Sequence, residues 1–142
     1  MTERLGQCLC GAVEVRGTRA SNDVTACHCD QCQRWTGGGP LLSVKVVDAQ
    51  MDEAAVGTYR ASAHGERGFC KQCGTTLFWR MQGEPTRYVP VGLLTDRAGL
   101  KVTSEIFIDD RPAWFGAWNG AEQRTEAQEL ALLDAYLEGK TT

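Results

Sequence analysis

The seven cysteines of this chain fall in three short stretches, Cys8-Leu9-Cys10-Gly11, Cys27-His28-Cys29-Asp30-Gln31-Cys32 and Cys70-Lys71-Gln72-Cys73-Gly74. The residues before Cys8 contain no apolar run of signal-peptide length, so we expect an intracellular, cytoplasmic protein. In a reducing compartment, clustered cysteines are more often metal ligands or reactive thiols than disulfides, and the odd count argues against complete pairing. The clusters therefore predict a metal-binding protein whose fold is organised by its cysteines.

The first and third stretches each end in a glycine, and they are natural partners for one closed site. A C-x-x-C-G turn directs two sulfurs at one point, and its glycine tolerates the positive φ that such turns need. In C-x-C, two side chains share one side of an extended strand. A structural zinc site needs four ligands in a tetrahedron, so we predict that Cys8, Cys10, Cys70 and Cys73 bind one zinc ion that supports folding. The spacing also allows a different pairing of the clusters.

The second stretch supplies three thiolates, Cys27, Cys29 and Cys32, without a fourth cysteine. Three protein ligands with one open position are typical of catalytic zinc sites, so we predict these as catalytic residues and as ligands of a second ion. Redox chemistry or metal exchange by the three thiols is the alternative. His28 lies between two of them; we expect it to support the site, with a role as fourth ligand as the alternative.

The size and charge of the chain narrow the class of protein. A chain of 142 residues fits one compact domain, so we predict a single domain over residues 1–142. The net charge of -3 gives no cationic field for phosphate backbones, and we expect no nucleic-acid partner. No segment approaches the roughly 20 apolar residues that span a bilayer, so we expect no membrane partner.

Strand-like alternation recurs at short intervals, with turn residues between the segments. Strands are predicted over residues 11–17, 42–47, 58–60, 75–80, 87–94 and 101–108. From Thr125 to Gly139, apolar residues recur at helical spacing, which predicts a C-terminal helix that packs on the sheet or on a second subunit of a homodimer. The predicted class is mainly β, with complex antiparallel sheets in a sandwich or open barrel around zinc, and a C-terminal helix.

Two features outside the cysteine stretches also carry predictions. The aromatic group Trp114, Phe115 and Trp118 is predicted to lie in the core or an interface, with the lining of a substrate cleft as the alternative. His64, in Ala63-His64-Gly65, is predicted to be a solvent-exposed loop residue.

In this order, the three cysteine stretches resemble those of the glutathione-dependent formaldehyde-activating enzyme family, also called the Gfa and centromere-protein-V family. The matching stretches are Cys8-x-Cys10-Gly11-Ala12-Val13, Cys27-His28-Cys29-x-x-Cys32-Gln33-Arg34-x-x-Gly37, Phe69-Cys70-x-x-Cys73-Gly74-Thr75-x-Leu77 and the segment from Ile106 to Phe115. The resemblance implies a fold of complex β-sheets. It also implies a structural zinc at Cys8, Cys10, Cys70 and Cys73, and a catalytic zinc at Cys27, Cys29 and Cys32.

The activity that the resemblance implies is that of a zinc-dependent carbon–sulfur lyase, which joins formaldehyde and glutathione into S-hydroxymethylglutathione. The expected partner is therefore a small thiol such as glutathione. Basic residues would hold the carboxylates of the substrate, and the candidates are Arg34, Lys45, Arg60 and Arg67. The alternatives are a non-catalytic zinc-binding interaction module and a thiol redox or metal-buffering protein.

Overall fold

A computed structural model of the chain describes residues 3–141. They form two compact units: the first combines the chain up to Val24 with Leu42–Lys101, and the second combines Thr25–Leu41 with the chain from Val102 onward. The single domain over residues 1–142 stays a prediction. The strands are β1 (Glu3–Gln7), β2 (Glu14–Arg19), β3 (Asp23–Cys27), β4 (Leu41–Gln50), β5 (Val56–Tyr59), β6 (Gly65–Cys70), β7 (Thr76–Met81), β8 (Arg87–Pro90), β9 (Lys101–Ile106) and β10 (Glu122–Arg124); the helices are α1 (Asp30–Thr36) and α2 (Glu126–Thr141).

The first unit is an antiparallel sheet with the strand order β1-β2-β4-β8-β7-β6-β5. Alternation along the strands places every second side chain on the core face. The buried residues of this face include Val15, Val44, Val46, Phe78 and Val89. The sheet brings the end of β1, just before Cys8, and the end of β6, at Cys70, into the same unit.

Close packing between β6 and β7 depends on Gly68. This residue pairs with Phe78, and a Cβ atom on Gly68 would lie 2.1 Å from the Phe78 ring. No side chain other than hydrogen fits this space without moving the ring. The turn that carries Cys73 follows β6 directly, so this contact also fixes the strands on either side of that turn.

The second unit contains β10 and most of β9 and β3, which are neighbouring strands in that order. β10 pairs with β9 in parallel, and the Thr25 and Ser104 hydroxyls lie 3.1 Å apart. α1 follows β3 and ends at Gly37, whose φ of 93° is left-handed. α2 begins with reciprocal bonds between Thr125 and Gln128, a capping box of the T-x-x-Q type.

The predicted class, mainly β with a C-terminal helix, is confirmed. The sheet is mixed, because β10 runs parallel to β9 while the strand pairs of the first unit are antiparallel. The sequence patterns missed α1 and four strands, β1, β3, β6 and β10. β1 and β6 carry Gly and charged residues at positions that break the alternation, β3 has only five residues, and β10 has only three. Among residues 3–141, no helix is long and apolar enough to cross a membrane.

Candidate metal centres

Two groups of potential metal ligands stand out among the described residues. One contains Cys8, Cys10, Cys70 and Cys73, and the other contains Cys27, Cys29 and Cys32. Within each group, all Sγ atoms lie within 4.8 Å of one another. In the described part of the chain, none of the seven cysteines forms a disulfide bond. The structure thus brings together the two sets that the sequence predicted, and each set lies within one unit.

The four-cysteine group has the dimensions of a tetrahedral metal site. Cys8 Sγ lies 3.7 Å from Cys10 Sγ, and Cys10 Sγ lies 3.8 Å from Cys70 Sγ. Metal–sulfur bonds of about 2.3 Å in a tetrahedron separate the sulfurs by about 3.8 Å, whereas a disulfide bond measures about 2.05 Å. The two measured sulfur–sulfur distances therefore fit tetrahedral coordination of a metal ion without rearrangement.

Each half of this group is a tight turn closed by backbone hydrogen bonds. Val13 N–H donates to Cys8 Sγ at 3.3 Å, and Cys73 N–H donates to Cys70 Sγ at 3.5 Å. Gly11 and Gly74, the glycines after each pair, have φ values of 82° and 78°. The C-x-C pair was expected on an extended strand, but Cys8 to Gly11 form a turn after β1 instead. The Gly11 N–H bond to Cys8 O, at 3.2 Å, closes this turn.

Within the four-cysteine group, the pKa values of two thiols are shifted in opposite directions. The Thr75 hydroxyl, 3.0 Å from Cys73 Sγ, and the Thr75 backbone lower the pKa of Cys73 to about 5. The Ala12 backbone lowers the pKa of Cys10, but burial and the three neighbouring thiols outweigh it and raise this pKa to about 12. Four sulfurs this close cannot all ionise unless a cation shares the site. The electrostatics thus match the geometry of a metal centre.

The three-cysteine group lies at the junction of β3 and α1. Cys27 ends β3, Cys29 caps α1, and Cys32 lies within the helix. Cys32 N–H donates to Cys29 Sγ at 3.3 Å. Cys32 is buried, whereas Cys27 and Cys29 are partly exposed. Contact with the Cys29 and Cys32 thiols, together with burial, raises the pKa of Cys27 far above its usual range. This group too concentrates negative charge that a cation would neutralise.

His28 does not join the three thiols as a ligand. Its ring is fully buried, and Nε2 lies 2.9 Å from Oε1 of Glu105 on β9. The group of ligand atoms within 4.8 Å contains no atom of His28. The Phe115 and Trp118 rings pack on it, with centroids at 5.7 and 6.4 Å. A supporting role for His28 stays a prediction.

The sequence of the chain matches a known family over residues 3–110, the glutathione-dependent formaldehyde-activating enzymes. The match covers more than half of the chain and includes all seven cysteines. The chain belongs to the glutathione-dependent formaldehyde-activating enzyme family.

Two further proteins are similar to this family member. An uncharacterized lyase of Schizosaccharomyces pombe is 29% identical over 115 residues, which span 79% of this chain and 83% of the yeast protein. A crystal structure of a Rhodobacter sphaeroides protein superimposes with a TM-score of 0.54 at 22% identity, over 71% of this chain and 91% of that one. The second likeness concerns the fold alone.

The basic residues predicted to hold substrate carboxylates are divided between the two units of this family member. Arg34 lies on α1, in the same unit as Cys27, Cys29 and Cys32, where it pairs with Asp30 at 2.9 Å and is largely exposed. The other three, Lys45, Arg60 and Arg67, lie in the first unit. Arg60 bonds Glu66, and Arg67 is buried. Arg34 is therefore the candidate that shares a unit with the three-cysteine group.

Glu105 is the site residue that the sequence analysis missed. It is fully buried and accepts hydrogen bonds from side chains and backbone of four residues, namely His28, Arg111, Trp118 and Gln123. A charged residue inside a strand is a weak signal of such a role, because its partner His28 lies 77 residues earlier. The exposed loop residue His64 lies where the sequence predicted it, outside both groups.

Proposed function

We propose that this chain is a zinc-dependent carbon–sulfur lyase of the glutathione-dependent formaldehyde-activating type, working in the cytoplasm. Its substrate would be a small thiol–aldehyde adduct such as S-hydroxymethylglutathione. Family membership supports the enzyme class, and the name of the yeast relative, a lyase, agrees with it. The observation that carries the proposal is the group of Cys27, Cys29 and Cys32, in which three thiols converge and no other ligand atom of the described residues joins them.

The reaction conserves all atoms of both reactants. In one direction the sulfur of the thiol bonds to the formaldehyde carbon, and the thiol proton ends on the carbonyl oxygen. In the other direction the same carbon–sulfur bond breaks. A zinc ion held by Cys27, Cys29 and Cys32 would supply Lewis-acid character and a template with one open position.

The residues of the chain hold and orient this site. Cys29 Sγ is fixed by the Cys32 N–H, and Cys32 is buried in α1. Since Cys27 and Cys29 are the partly exposed members, a small thiol would approach from their side. The Phe115 and Trp118 rings cover His28 and exclude water from its surroundings. We propose a second zinc ion at Cys8, Cys10, Cys70 and Cys73 as the structural ion, because its four ligands leave no position for substrate.

Metal content tests the division of the cysteines. Wild-type protein should contain two zinc ions, and Cys32→Ala should contain one while β6 and β7 keep their protection from hydrogen exchange. Loss of that protection in Cys32→Ala would place this cysteine in the structural site and overturn the assignment. A single ion in the wild type would also overturn it.

Exchange NMR tests the reaction. Formaldehyde and glutathione form their adduct without a catalyst, and the wild-type protein should accelerate exchange between the free and adduct signals beyond the uncatalysed rate. Cys32→Ala is the matched control and should not accelerate it. If a wild type with two zinc ions leaves the exchange rate unchanged, this substrate pair is wrong. Reversible disulfide formation within Cys27, Cys29 and Cys32 under mild oxidant would then favour the redox alternative.

A further inference from the structure

The Glu105 carboxylate is buried in the second unit and accepts four hydrogen bonds. It accepts His28 Nε2 at 2.9 Å, Arg111 Nη1 at 3.1 Å, the Trp118 backbone N–H at 3.0 Å and Gln123 Nε2 at 3.4 Å. Burial raises its pKa, but these donors outweigh burial and lower it. An ionised carboxylate only accepts hydrogen bonds, so His28 Nε2 carries the proton of the shared bond.

The backbone of His28 is held as firmly as its ring. Its N–H donates to Ile106 O at 3.0 Å, and its carbonyl accepts Gln33 Nε2 at 2.8 Å. The same Gln33 amide donates to Asp110 O at 2.8 Å. His28 stands between Cys27 and Cys29, so whatever fixes its ring and backbone also fixes the direction of these two thiols. The contacts all lie within the second unit.

Packing alone does not account for a histidine at this position. Its Nδ1 atom is buried and has no hydrogen-bond partner among the described residues. A buried polar atom without a partner destabilises the fold, and an apolar side chain would avoid this cost. The hydrogen bond from His28 to Glu105 therefore offsets the cost of burying the Nδ1 atom without a partner.

We infer that Glu105 is a positioning residue for the three-cysteine site: through the His28 ring and the segment from Arg111 to Trp118, it holds Cys27 and Cys29 in the direction that binds the ion. The inference rests on the metal occupancy in the proposed function, but not on the identity of the substrate. Carboxylates that hydrogen-bond metal ligands change metal affinity by about 10–100-fold when they are replaced, and Glu105 acts on the ligands through the residue between two of them. The effect should therefore appear in binding of the metal itself.

Metal binding of Glu105→Gln measures this effect. We expect the affinity for the second equivalent of Zn²⁺, in competition with a chromophoric chelator, to fall about 10–100-fold. The first equivalent should bind as in the wild type. Co²⁺ added to protein that already holds one Zn²⁺ should give d–d absorption bands that are shifted from those of the wild type. A residue that only stabilises the fold would not move these bands.

Glu66→Gln is the matched control. Glu66 is also a buried carboxylate held by arginines, Arg60 and Arg80, but it lies in the first unit. The Glu66→Gln substitution should lower the stability of the protein and leave its affinity for the second equivalent of Zn²⁺ unchanged. If Glu105→Gln and Glu66→Gln bind the second equivalent alike, the inference is wrong.

His28→Phe keeps the inference testable if Glu105→Gln does not fold. It keeps an aromatic ring at this position, removes the unpartnered Nδ1 and leaves three donors on Glu105. The fold should survive, and the second equivalent should bind more weakly. Wild-type affinity in His28→Phe would overturn the inference alone. A wild type that binds only one equivalent would overturn the proposed function as well, so the two failures are distinguishable.

Discussion

Loss of the four-cysteine ion should destabilise the first unit more than any single surface change. An ion at this site would join Cys10 to Cys70, which lie 60 residues apart in the chain. We treat the ion as a cross-link. Closing a loop of this size lowers the conformational entropy of the unfolded chain, which stabilises the folded state by about 4 kcal/mol at 25 °C. The whole free energy of unfolding of a small domain is about 5–15 kcal/mol. Cys70→Ser should therefore remove a large share of the stability of the unit.

Urea unfolding and hydrogen exchange together measure this loss. Cys70→Ser should lower the free energy of unfolding by about 4 kcal/mol or more, and peptides from β6 and β7 should lose protection. Cys32→Ser is the control, since its thiol belongs to the other group and unit. A Cys70→Ser protein with reduced metal content but the unfolding midpoint of the wild type would show that the four-cysteine group does not support folding.

Three further changes test other parts of the structure. Gly68→Ala should cost about 1–3 kcal/mol in urea unfolding, since its Cβ would meet the Phe78 ring at 2.1 Å, whereas Gly92→Ala, with open space around it, should be tolerated; equal effects would contradict the packing argument. Although burial raises the pKa of Glu66, its two arginine partners lower it overall, so its stabilising effect is present at neutral pH and is lost as the pH falls through the folded-state pKa. Below about pH 5 the wild type should thus lose stability more steeply than Glu66→Gln in parallel urea titrations, and parallel curves would count against the pair. Thr125→Ala should destabilise α2 by about 1 kcal/mol, seen as faster amide exchange in its first turn; unchanged exchange would remove the capping box.

The cysteine spacing, together with the glycines that follow two of the pairs, favoured the grouping of thiols that the structure contains, although the spacing by itself allowed another pairing. C-x-x-C-G is a local turn, and Gly74 has the left-handed φ that the motif predicts. The glycine after each pair also suggested that Cys8 and Cys10 meet Cys70 and Cys73, and their sulfurs do converge. The ligand roles themselves stay predictions, as does the homodimer. The mainly β class followed from alternation, because the period of two is visible over each strand by itself.

Only the tertiary structure showed what surrounds the three-cysteine group. The hydrogen bond between His28 and Glu105 joins residues 77 positions apart, and no sequence pattern predicts that these two residues are partners. The parallel pairing of β10 with β9 and the exclusion of His28 from the ligand set likewise depend on which strands meet in the sheet. Local spacing determines how a turn directs two sulfurs. Long-range strand pairing and burial decide which distant side chain is placed against them, because those contacts arise only when the chain has folded.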